Sequence, residues 1–443
     1  MDKQGAQLTV SDMSDRGPQF LFPSSKATEV VLVLAAHTSL GKAVIEVIAE
    51  TWVIFRSMSL PQLKSKFQIV HYALTASRSP HARSLAGQLL GALRLRFARN
   101  RLGVSEYYDY KLYDRERFSD AAAATFVGAR VDGPLMNAVN SIDWRALDED
   151  KLLFSMLLHR VGIRHPKLLA FYWDQFRLTD DAVSLSDARE LARFMRDGLT
   201  YPCFSKPVDG YRSRGVKAIL AYESRSDELL LSNGERLPVD QFIAELPKPW
   251  SSGGNRVFRG HMFQELLLPS AEVLSLVEAT GLSTIRLVML CDLPRPELFR
   301  AIWKIPREGN MADNFWRPGN LLADVDIATG RIRRVIRSTP NGFEELATES
   351  AAGGTLVGRR VPQWDAAVQL CERAAGLLPG TRCQHWDVAI CDGGPVVIEL
   401  NGLGDLSLLQ SPASIGVLDA RFESFLARVG VNWDWRGIEK VKR

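Results

Sequence analysis

The segment from residue 383 to residue 407, CQHWDVAICDGGPVVIELNGLGDLS, constrains the fold of this chain more than any other stretch. Two short apolar runs, at 385–391 and 395–401, are rich in residues that favour β-strands. Turn-forming residues separate these runs at 392–394. This pattern predicts a β-hairpin near the C-terminal end of the chain, with an acidic residue on each strand.

The register of this hairpin decides which side chains meet. A three-residue loop sets Asp387 directly opposite Glu399 and places Asn401 on the same face, because side chains alternate along a strand. A two-residue loop over 392–393 instead pairs Asp387 with Ile398 and separates the carboxylates. Facing carboxylates destabilise an apolar hairpin unless a cation lies between them, and two carboxylates with an amide oxygen suit Mg²⁺. The alternative is an ordinary hairpin with solvated polar residues, and the hairpin alone favours neither.

Length and composition limit the class of protein. The 443 residues, 46% of them hydrophobic, suffice for two or three domains with cores of their own. A net charge of +4 and a pI near 8.7 are too weakly basic to indicate nucleic-acid binding. The five cysteines are widely spaced and form no C-x-x-C pair, which argues against a disulfide framework and for a reducing compartment. Without a signal-peptide pattern or a run of transmembrane length, we expect a cytoplasmic protein.

The N-terminal part is predicted to contain a disordered stretch at 1–27 and a helical, basic accessory region at 28–110. No acidic residue occurs between residues 51 and 105. Arginines gather there at Arg78, Arg83, Arg94, Arg96, Arg99 and Arg101, and apolar residues recur at helical spacing at Leu85, Leu89, Leu93 and Phe97. This pattern predicts a basic amphipathic helix within 78–101. Either it packs with a solvated basic face, or it contacts an anionic membrane, a polyanionic glycan or an acidic protein.

A second anchor is the segment YPCFSKPVDGYRSRGVKAIL at 201–220. A predicted strand delivers Lys206, a loop containing Gly210 and Gly215 follows, and a second strand leaves the loop. Backbone N–H groups of such a loop can surround phosphate groups while the lysine neutralises their charge. The segment therefore predicts a phosphate-binding loop.

Taken in order, these motifs resemble the ATP-grasp superfamily, and within it the sugar-transfer-associated branch. The motifs are D-K at 150–151 followed by G-I-x-x-P at 162–166, K-P-x-x-G-x-x-S-x-G-V at 206–216, Q-E-x-L at 264–267, S-T-x-R at 283–286, D-N-F at 313–315, V-D-x-x-T-G-R at 325–331 and D-V-A-I-x(8)-E-L-N at 387–401. The resemblance covers about residues 108 to 410. The chain departs from it at Lys304, where arginine is usual, at Asn320 in place of a glycine, and in a bulkier, more basic loop at 211–214.

The resemblance implies an α+β ATP-grasp fold, in which two lobes sandwich ATP, preceded by the helical accessory region. It implies a pre-ATP-grasp segment at 111–200, a small lobe at 201–282, a large lobe at 283–425 and a tail at 426–443. The implied ATP-binding residues are Lys151, Lys206, Gly210, Ser213, Gly215, Gln264 and Glu265. Asp387, Glu399 and Asn401 would hold Mg²⁺. Arg286 and Lys304 would be catalytic, and an arginine on a buried strand suits a transferring phosphoryl group.

The activity that the resemblance implies is ligation. A carboxylate substrate would attack the γ-phosphate of ATP, and an amine would then displace phosphate from the acyl-phosphate. Small-molecule carboxylates and amines, without nucleic acid, are the expected partners, and polysaccharide or related biosynthesis is the expected setting. Two alternatives stay open: a kinase that phosphorylates a hydroxyl, and a non-catalytic ATP-sensing module of a glycan-assembly system. The complete set of lysines and metal-binding residues argues against the sensor.

Overall fold

The computed structural model describes residues 69–440, except for 175–176, 180–181, 211–214, 247–259, 278–280, 308–309, 311–312, 341, 347–355 and 435. The chain divides into two compact units, residues 1–71 and residues 72–443. Everything that follows concerns the second unit. The predictions for 1–27 and for most of the accessory region before residue 69 lie outside the described residues.

The second unit contains both helices and strands. The helices are α1 (Leu85–Phe97), α2 (Val104–Asp109), α3 (Asp120–Ala123), α4 (Asp132–Val139), α5 (Arg145–Glu149), α6 (Lys151–Arg160), α7 (Ala188–Asp197), α8 (Val239–Glu245), α9 (Ala271–Leu276), α10 (Trp364–Ala375), α11 (Leu406–Ala413) and α12 (Ala420–Arg428). The strands are β1 (Leu168–Tyr172), β2 (Val183–Leu185), β3 (Cys203–Pro207), β4 (Lys217–Glu223), β5 (Glu228–Leu231), β6 (Arg236–Pro238), β7 (His261–Glu265), β8 (Thr284–Leu290), β9 (Glu297–Ile305), β10 (Leu321–Val325), β11 (Ile332–Thr339), β12 (Gly342–Leu346), β13 (Cys383–Cys391), β14 (Gly394–Asn401), β15 (Val431–Trp433) and β16 (Ile438–Lys440). Among these helices, none is both long enough and apolar enough to cross a membrane.

The first sheet has the strand order β2-β1-β7-β3-β4-β5-β6. It is antiparallel except where β1 and β2 run side by side in the same direction. One face packs against α7 and α8, because the apolar positions of α7, Leu191, Ala192 and Met195, lie on one side of an otherwise charged helix. The sheet takes in β1 and β2, which precede residue 201, and carries the predicted Lys206 at the end of β3.

The second sheet has the order β12-β11-β10-β9-β8-β13-β14 and is covered on both faces. Helix α10 packs on one face, and α11 and α12 cover the other. Every residue of β8 and of β13 is buried as a result. A charged side chain at the centre of this sheet therefore needs a partner of opposite charge within the protein.

The predicted C-terminal hairpin forms as β13 and β14, but its turn differs from the expected one. Cys391 pairs with Gly394, so the loop has two residues instead of three. A β-bulge then places Ile398 as an extra residue on β14, because Val388 pairs with Val397 and Asp387 with Glu399. The predicted pairing of the two carboxylates is thus confirmed, although the loop that was expected to produce it is wrong.

Helix α1 confirms the predicted helix but not the predicted packing face. Leu89, Leu93 and Phe97, expected to form the inward stripe, are exposed, together with Leu90. The buried residues are Gln88, Ala92 and Leu95, and the ring of Tyr107 lies against Gly91 on this side. The basic face is also partly neutralised, since Asp120 pairs with Arg83 and Arg94, and Glu423 pairs with Arg99.

Candidate active site

The centre of the second sheet carries a buried pair of opposite charges, Arg286 on β8 and Asp387 on β13. Their positions face each other directly in the register of the two strands. The guanidinium donates from Nε to Oδ1 at 2.8 Å and from Nη2 to Oδ2 at 2.7 Å. Arg286 is 6% exposed and Asp387 is 1% exposed. This two-pronged contact fixes the arginine against the predicted metal ligand, and the catalytic role of Arg286 stays a prediction.

Lys304, on β9, adds a second cation to Asp387. Its Nζ donates to Oδ2 of Asp387 at 2.8 Å and lies 3.3 Å from Oδ2 of Asp313, which also accepts a hydrogen bond from Thr284 Oγ1. Burial by itself would raise the pKa of Asp387, but the charges of Arg286 and Lys304 outweigh it and hold this pKa below the usual range. Burial lowers the pKa of Lys304, but the charges of Asp313 and Asp387 raise it, and the pKa lies above its ordinary value. Protein cations therefore neutralise Asp387 from two sides.

The three predicted metal ligands lie together in the half of the hairpin that is farther from its loop, here called its inner end. Asn401 Nδ2 lies 3.2 Å from Oδ2 of Asp387 and 3.4 Å from Oε1 of Glu399. Glu399 is half-buried, whereas Asp387 is fully enclosed. The alternative of an ordinary hairpin with solvated polar residues is therefore wrong for Asp387.

This donor set fits Mg²⁺ in a particular way. Oδ2 of Asp387 already accepts hydrogen bonds from Arg286, Lys304 and Asn401, so Glu399 offers the freer carboxylate oxygens. Among the residues that the structure describes, no group of three or more His, Cys, Asp or Glu side chains could hold a metal ion. Mg²⁺ commonly takes one or two carboxylates and completes its shell with phosphate and water oxygens. The residues fit the ion on those terms, with Glu399 as the main ligand.

The two lysines predicted to bind phosphate lie in the first sheet and in the helix that precedes it. Lys206 is 9% exposed at the end of β3, and Lys151 opens α6 and donates from Nζ to the carbonyl of Gly210 at 2.6 Å. Burial, reinforced by the charge of Lys151, lowers the pKa of Lys206 to about 8, and Glu399 acts in the opposite sense. The charge of Glu399 acts on Lys206, so the predicted phosphate loop and the predicted metal ligands lie within electrostatic range of each other.

The predicted phosphate loop is bounded by two glycines that lie against Pro207. A Cβ at Gly210 would lie 3.2 Å from the Pro207 ring, and Gly215 has a φ of +70°, a conformation that favours glycine. The predicted Ser213, together with the other residues of 211–214, lies outside the described residues. The described ends of the loop thus agree with a glycine-bounded turn between β3 and β4.

The predicted adenine-side residues, Gln264 and Glu265, end strand β7. Gln264 Nε2 donates to the carbonyl of Pro166 at 3.4 Å, and Oε1 of Glu265 accepts a hydrogen bond from the backbone N–H of Lys167 at 2.9 Å. Both side chains therefore anchor β7 to the segment that precedes β1. Their contact with a nucleotide stays a prediction.

Several side chains around the site were not predicted as site residues. Asp313, part of the D-N-F motif, pairs with Lys304 and accepts a hydrogen bond from Thr284. Thr284 lies two positions before Arg286, on the same face of β8. Strand alternation could have identified Thr284. Asn140 and Asp148 contact Gly402, and no spacing in the sequence indicates contacts across more than 250 residues.

The family model described as sugar-transfer associated ATP-grasp matches residues 134–424. A search of curated proteins gave no match. Similar solved structures include the ATP-grasp ligase PsnB complexed with minimal precursor, at 17% identity and a TM-score of 0.35, covering 66% of this chain and 63% of that chain.

Two further solved structures are ligases from Bacillus species. The D-alanine–D-alanine ligase from Bacillus anthracis complexed with ATP is 13% identical, with a TM-score of 0.31, and 65% of this chain and 67% of that chain are covered. The L-amino acid ligase from Bacillus licheniformis is 13% identical, with a TM-score of 0.31, and 58% of this chain and 41% of that chain are covered. The chain thus spans less than two thirds of the length of PsnB and of the L-amino acid ligase.

Proposed function

The chain belongs to the sugar-transfer associated ATP-grasp family, and we propose that it is an ATP-dependent ligase that joins a carboxylate to an amine and releases ADP. Its two sheets and their covering helices form the predicted α+β ATP-grasp fold. The observation that carries the proposal is the buried cluster of Arg286, Asp387 and Lys304, joined by hydrogen bonds of 2.7–2.8 Å, with Lys206 within electrostatic range of Glu399. Cations for phosphate oxygens and carboxylates for a metal ion lie there within one site.

The small-lobe residues would hold the nucleotide. Lys206 and Lys151 carry the positive charges for the ATP phosphates, and the loop between Gly210 and Gly215 supplies backbone N–H groups, with Ser213 as a further donor. Gln264 and Glu265 would meet the adenine edge at the end of β7.

Glu399, Asn401 and the remaining oxygen capacity of Asp387 would hold Mg²⁺. When bound, the ion would neutralise phosphate charge and orient the terminal phosphoryl group. Arg286 uses two of its guanidinium N–H donors on Asp387, and its other donors suit phosphoryl oxygens. Lys304, shared between Asp387 and Asp313, would stabilise the same developing charge from the neighbouring strand.

The proposed reaction has two steps. An oxygen of the substrate carboxylate attacks the γ-phosphorus of ATP, the bond from this phosphorus to the bridging oxygen breaks, and ADP leaves with the electron pair. The amine nitrogen then attacks the acyl carbon, loses a proton, and inorganic phosphate leaves. The protein orients the reactants and neutralises charge, so the proposal needs no nucleophilic side chain.

We further propose a setting in polysaccharide or related biosynthesis, on the basis of the family description. A cytoplasmic location with peripheral contact to an anionic membrane or glycan is part of this proposal. Exposed Leu89, Leu90, Leu93 and Phe97 on one side of α1, flanked by Arg94 and Arg96, support the peripheral contact.

The test is a screen of carboxylates and amines for release of ADP and phosphate, with hydroxylamine added to trap an acyl-phosphate as a hydroxamate. We expect ADP, phosphate and an amide product, and loss of all three in Lys206→Ala. The matched control is Lys217→Ala, which removes a lysine of the same sheet that pairs with Glu245. A phosphorylated hydroxyl product would favour a kinase. ATP binding without turnover across the screen would favour a sensor, and AMP with pyrophosphate would overturn the proposed chemistry.

A further inference from the structure

Gly402, the residue directly after Asn401, has both of its backbone polar groups held by side chains from a distant part of the chain. Its N–H donates to Oδ2 of Asp148 at 2.7 Å. Its carbonyl accepts a hydrogen bond from Nδ2 of Asn140, also at 2.7 Å. Asn140 follows α4 and Asp148 lies on α5, so both belong to the segment that precedes the first sheet.

Asn140 also forms hydrogen bonds with the other strand of the hairpin. Its Nδ2 donates to the carbonyl of Cys383 at 3.0 Å, and its Oδ1 accepts from the N–H of Cys383 at 2.8 Å. Cys383 is the first residue of β13, and Gly402 comes immediately after the last residue of β14. One side chain, 9% exposed, therefore joins the inner ends of the two strands that carry Asp387 and Asn401.

The contact with Asp148 is tightly fitted. A Cβ at Gly402 would lie 2.0 Å from Oδ2 of Asp148, so no other residue fits there without displacing the carboxylate. Oδ1 of Asp148 is buried and accepts no hydrogen bond from the residues that the structure describes. Burying a carboxylate oxygen in this way costs stability, which argues for a role of Asp148 other than stabilising the fold.

The same segment reaches the phosphate loop three residues later. Asp150 accepts hydrogen bonds from the N–H groups of Leu152 and Leu153 and so begins α6, which orients Lys151 toward the carbonyl of Gly210. The turn from α5 to α6 thus contacts the end of β14 through Asp148 and the predicted phosphate loop through Lys151.

We propose that Asn140 and Asp148 are positioning residues that hold Asn401 at the correct place relative to the phosphate loop and so determine the affinity for magnesium-bound nucleotide. The inference rests on the proposed function, because it assumes that Asn401 serves a metal ion next to ATP. Neither residue contacts the nucleotide in this proposal. Each acts through the backbone of Gly402.

The experiment measures ATP affinity of the full chain by calorimetry, once with Mg²⁺ and once with EDTA. We expect Asn140→Ala and Asp148→Ala to weaken binding in Mg²⁺ by about 10- to 100-fold, the usual cost of removing a group that orients a metal ligand. Binding in EDTA should change less than about twofold, because the lysines and the loop are untouched. Asp148→Asn keeps an oxygen that can accept from Gly402, so it should restore most of the affinity.

The matched control is Glu149→Ala, which removes the adjacent exposed carboxylate, paired only along its own helix with Arg145 among the described residues. This variant should bind as the unmodified protein does in both conditions. Equal loss with Mg²⁺ and with EDTA, or no loss in either, would overturn the positioning role. If Asp148→Ala fails to fold, Asn140→Ala still decides the question. Failure of the unmodified protein to bind ATP would overturn the proposed function, and this inference with it.

Discussion

The buried pair of Arg286 and Asp387 makes a specific prediction about the stability of the second sheet. Asp387→Leu removes the carboxylate partner of Arg286 and leaves its guanidinium charged in an enclosed position between β8 and β13, whereas Arg286→Met leaves Asp387 paired with Lys304. Breaking a buried ion pair in this way typically costs about 3–5 kcal/mol of the free energy of unfolding. We therefore expect Asp387→Leu to destabilise the protein by about 3–5 kcal/mol, and Arg286→Met by less, in EDTA and without nucleotide.

The double replacement should behave differently. With both charges removed, two apolar side chains of similar length occupy the space, and such exchanges are often neutral or stabilising. Lys304 loses its bond to Asp387 in that variant but keeps Asp313 at 3.3 Å. We expect the double variant Arg286→Met/Asp387→Leu to be more stable than Asp387→Leu, which corresponds to a coupling on the order of 3 kcal/mol.

The assay is urea unfolding followed by tryptophan fluorescence, since Trp303 and Trp386 lie within the same sheet. Arg196 and Asp227 provide a matched control, because they form the same two-pronged contact, at 2.7 Å for both bonds, on a much more exposed surface. Arg196→Met should cost no more than about 1 kcal/mol. An Asp387→Leu variant that costs as little as this control, or a double variant whose loss equals the sum of the single losses, would refute the reasoning.

Further predictions concern the nucleotide, the metal and α1. Lys206→Ala should weaken ATP binding by about 1.5–3 kcal/mol, or roughly 10- to 150-fold, and unchanged affinity in calorimetry would remove Lys206 from the phosphate site. The pKa of Lys206 near 8 means that its ammonium loses charge above this pH, so ATP affinity should fall about tenfold from pH 7 to pH 9. Lys206→Arg should remove this pH dependence, and its persistence would point to another group. Glu399→Gln should nearly abolish turnover with little change in the urea midpoint, since Asp387 is already paired, and adding Asn401→Ala should cost little more. Co-sedimentation with anionic vesicles should occur at low salt and weaken in Phe97→Ser, and no binding at low salt would contradict a membrane-facing role for α1.

The sequence predicted the Asp387–Glu399 pairing for an incomplete reason. The expected loop had three residues, whereas the structure has a two-residue loop and a bulge at Ile398. An isoleucine fits either face of a strand in this setting, so side-chain alternation could not reveal the bulge. The partner of Arg286 was equally hidden, because it depends on β8 lying next to β13, a neighbour about 100 residues away in sequence.

Helix α1 shows why periodicity alone can select the wrong face. Its sequence has apolar residues on two sides, one containing Leu89, Leu93 and Phe97 and the other containing Ala92 and Leu95. The larger side chains suggested that the first side faces the core. The smaller residues of the second side let a neighbouring segment pack closer to the helix, since Gly91 leaves room for the ring of Tyr107. Burial was therefore decided by the shape of a neighbour that the helix sequence does not contain.

Because of the bulge at Ile398, a hairpin of this length can pair Asp387 with Glu399 by two backbone routes, that is, two different conformations of the turn and of β14. In the observed route the odd residue sits on β14, and the turn uses Gly393 in the loop and Gly394 at the start of β14, at φ values of +77° and +125°. In the other route the odd residue would join the loop, the bulge would disappear, and Asp387 would still face Glu399. A substitution such as Gly394→Val, which disfavours the observed loop, is therefore expected to move the hairpin from one route to the other while the carboxylates keep their partners. The turn of such a hairpin can therefore change its length and sequence without separating the two carboxylates.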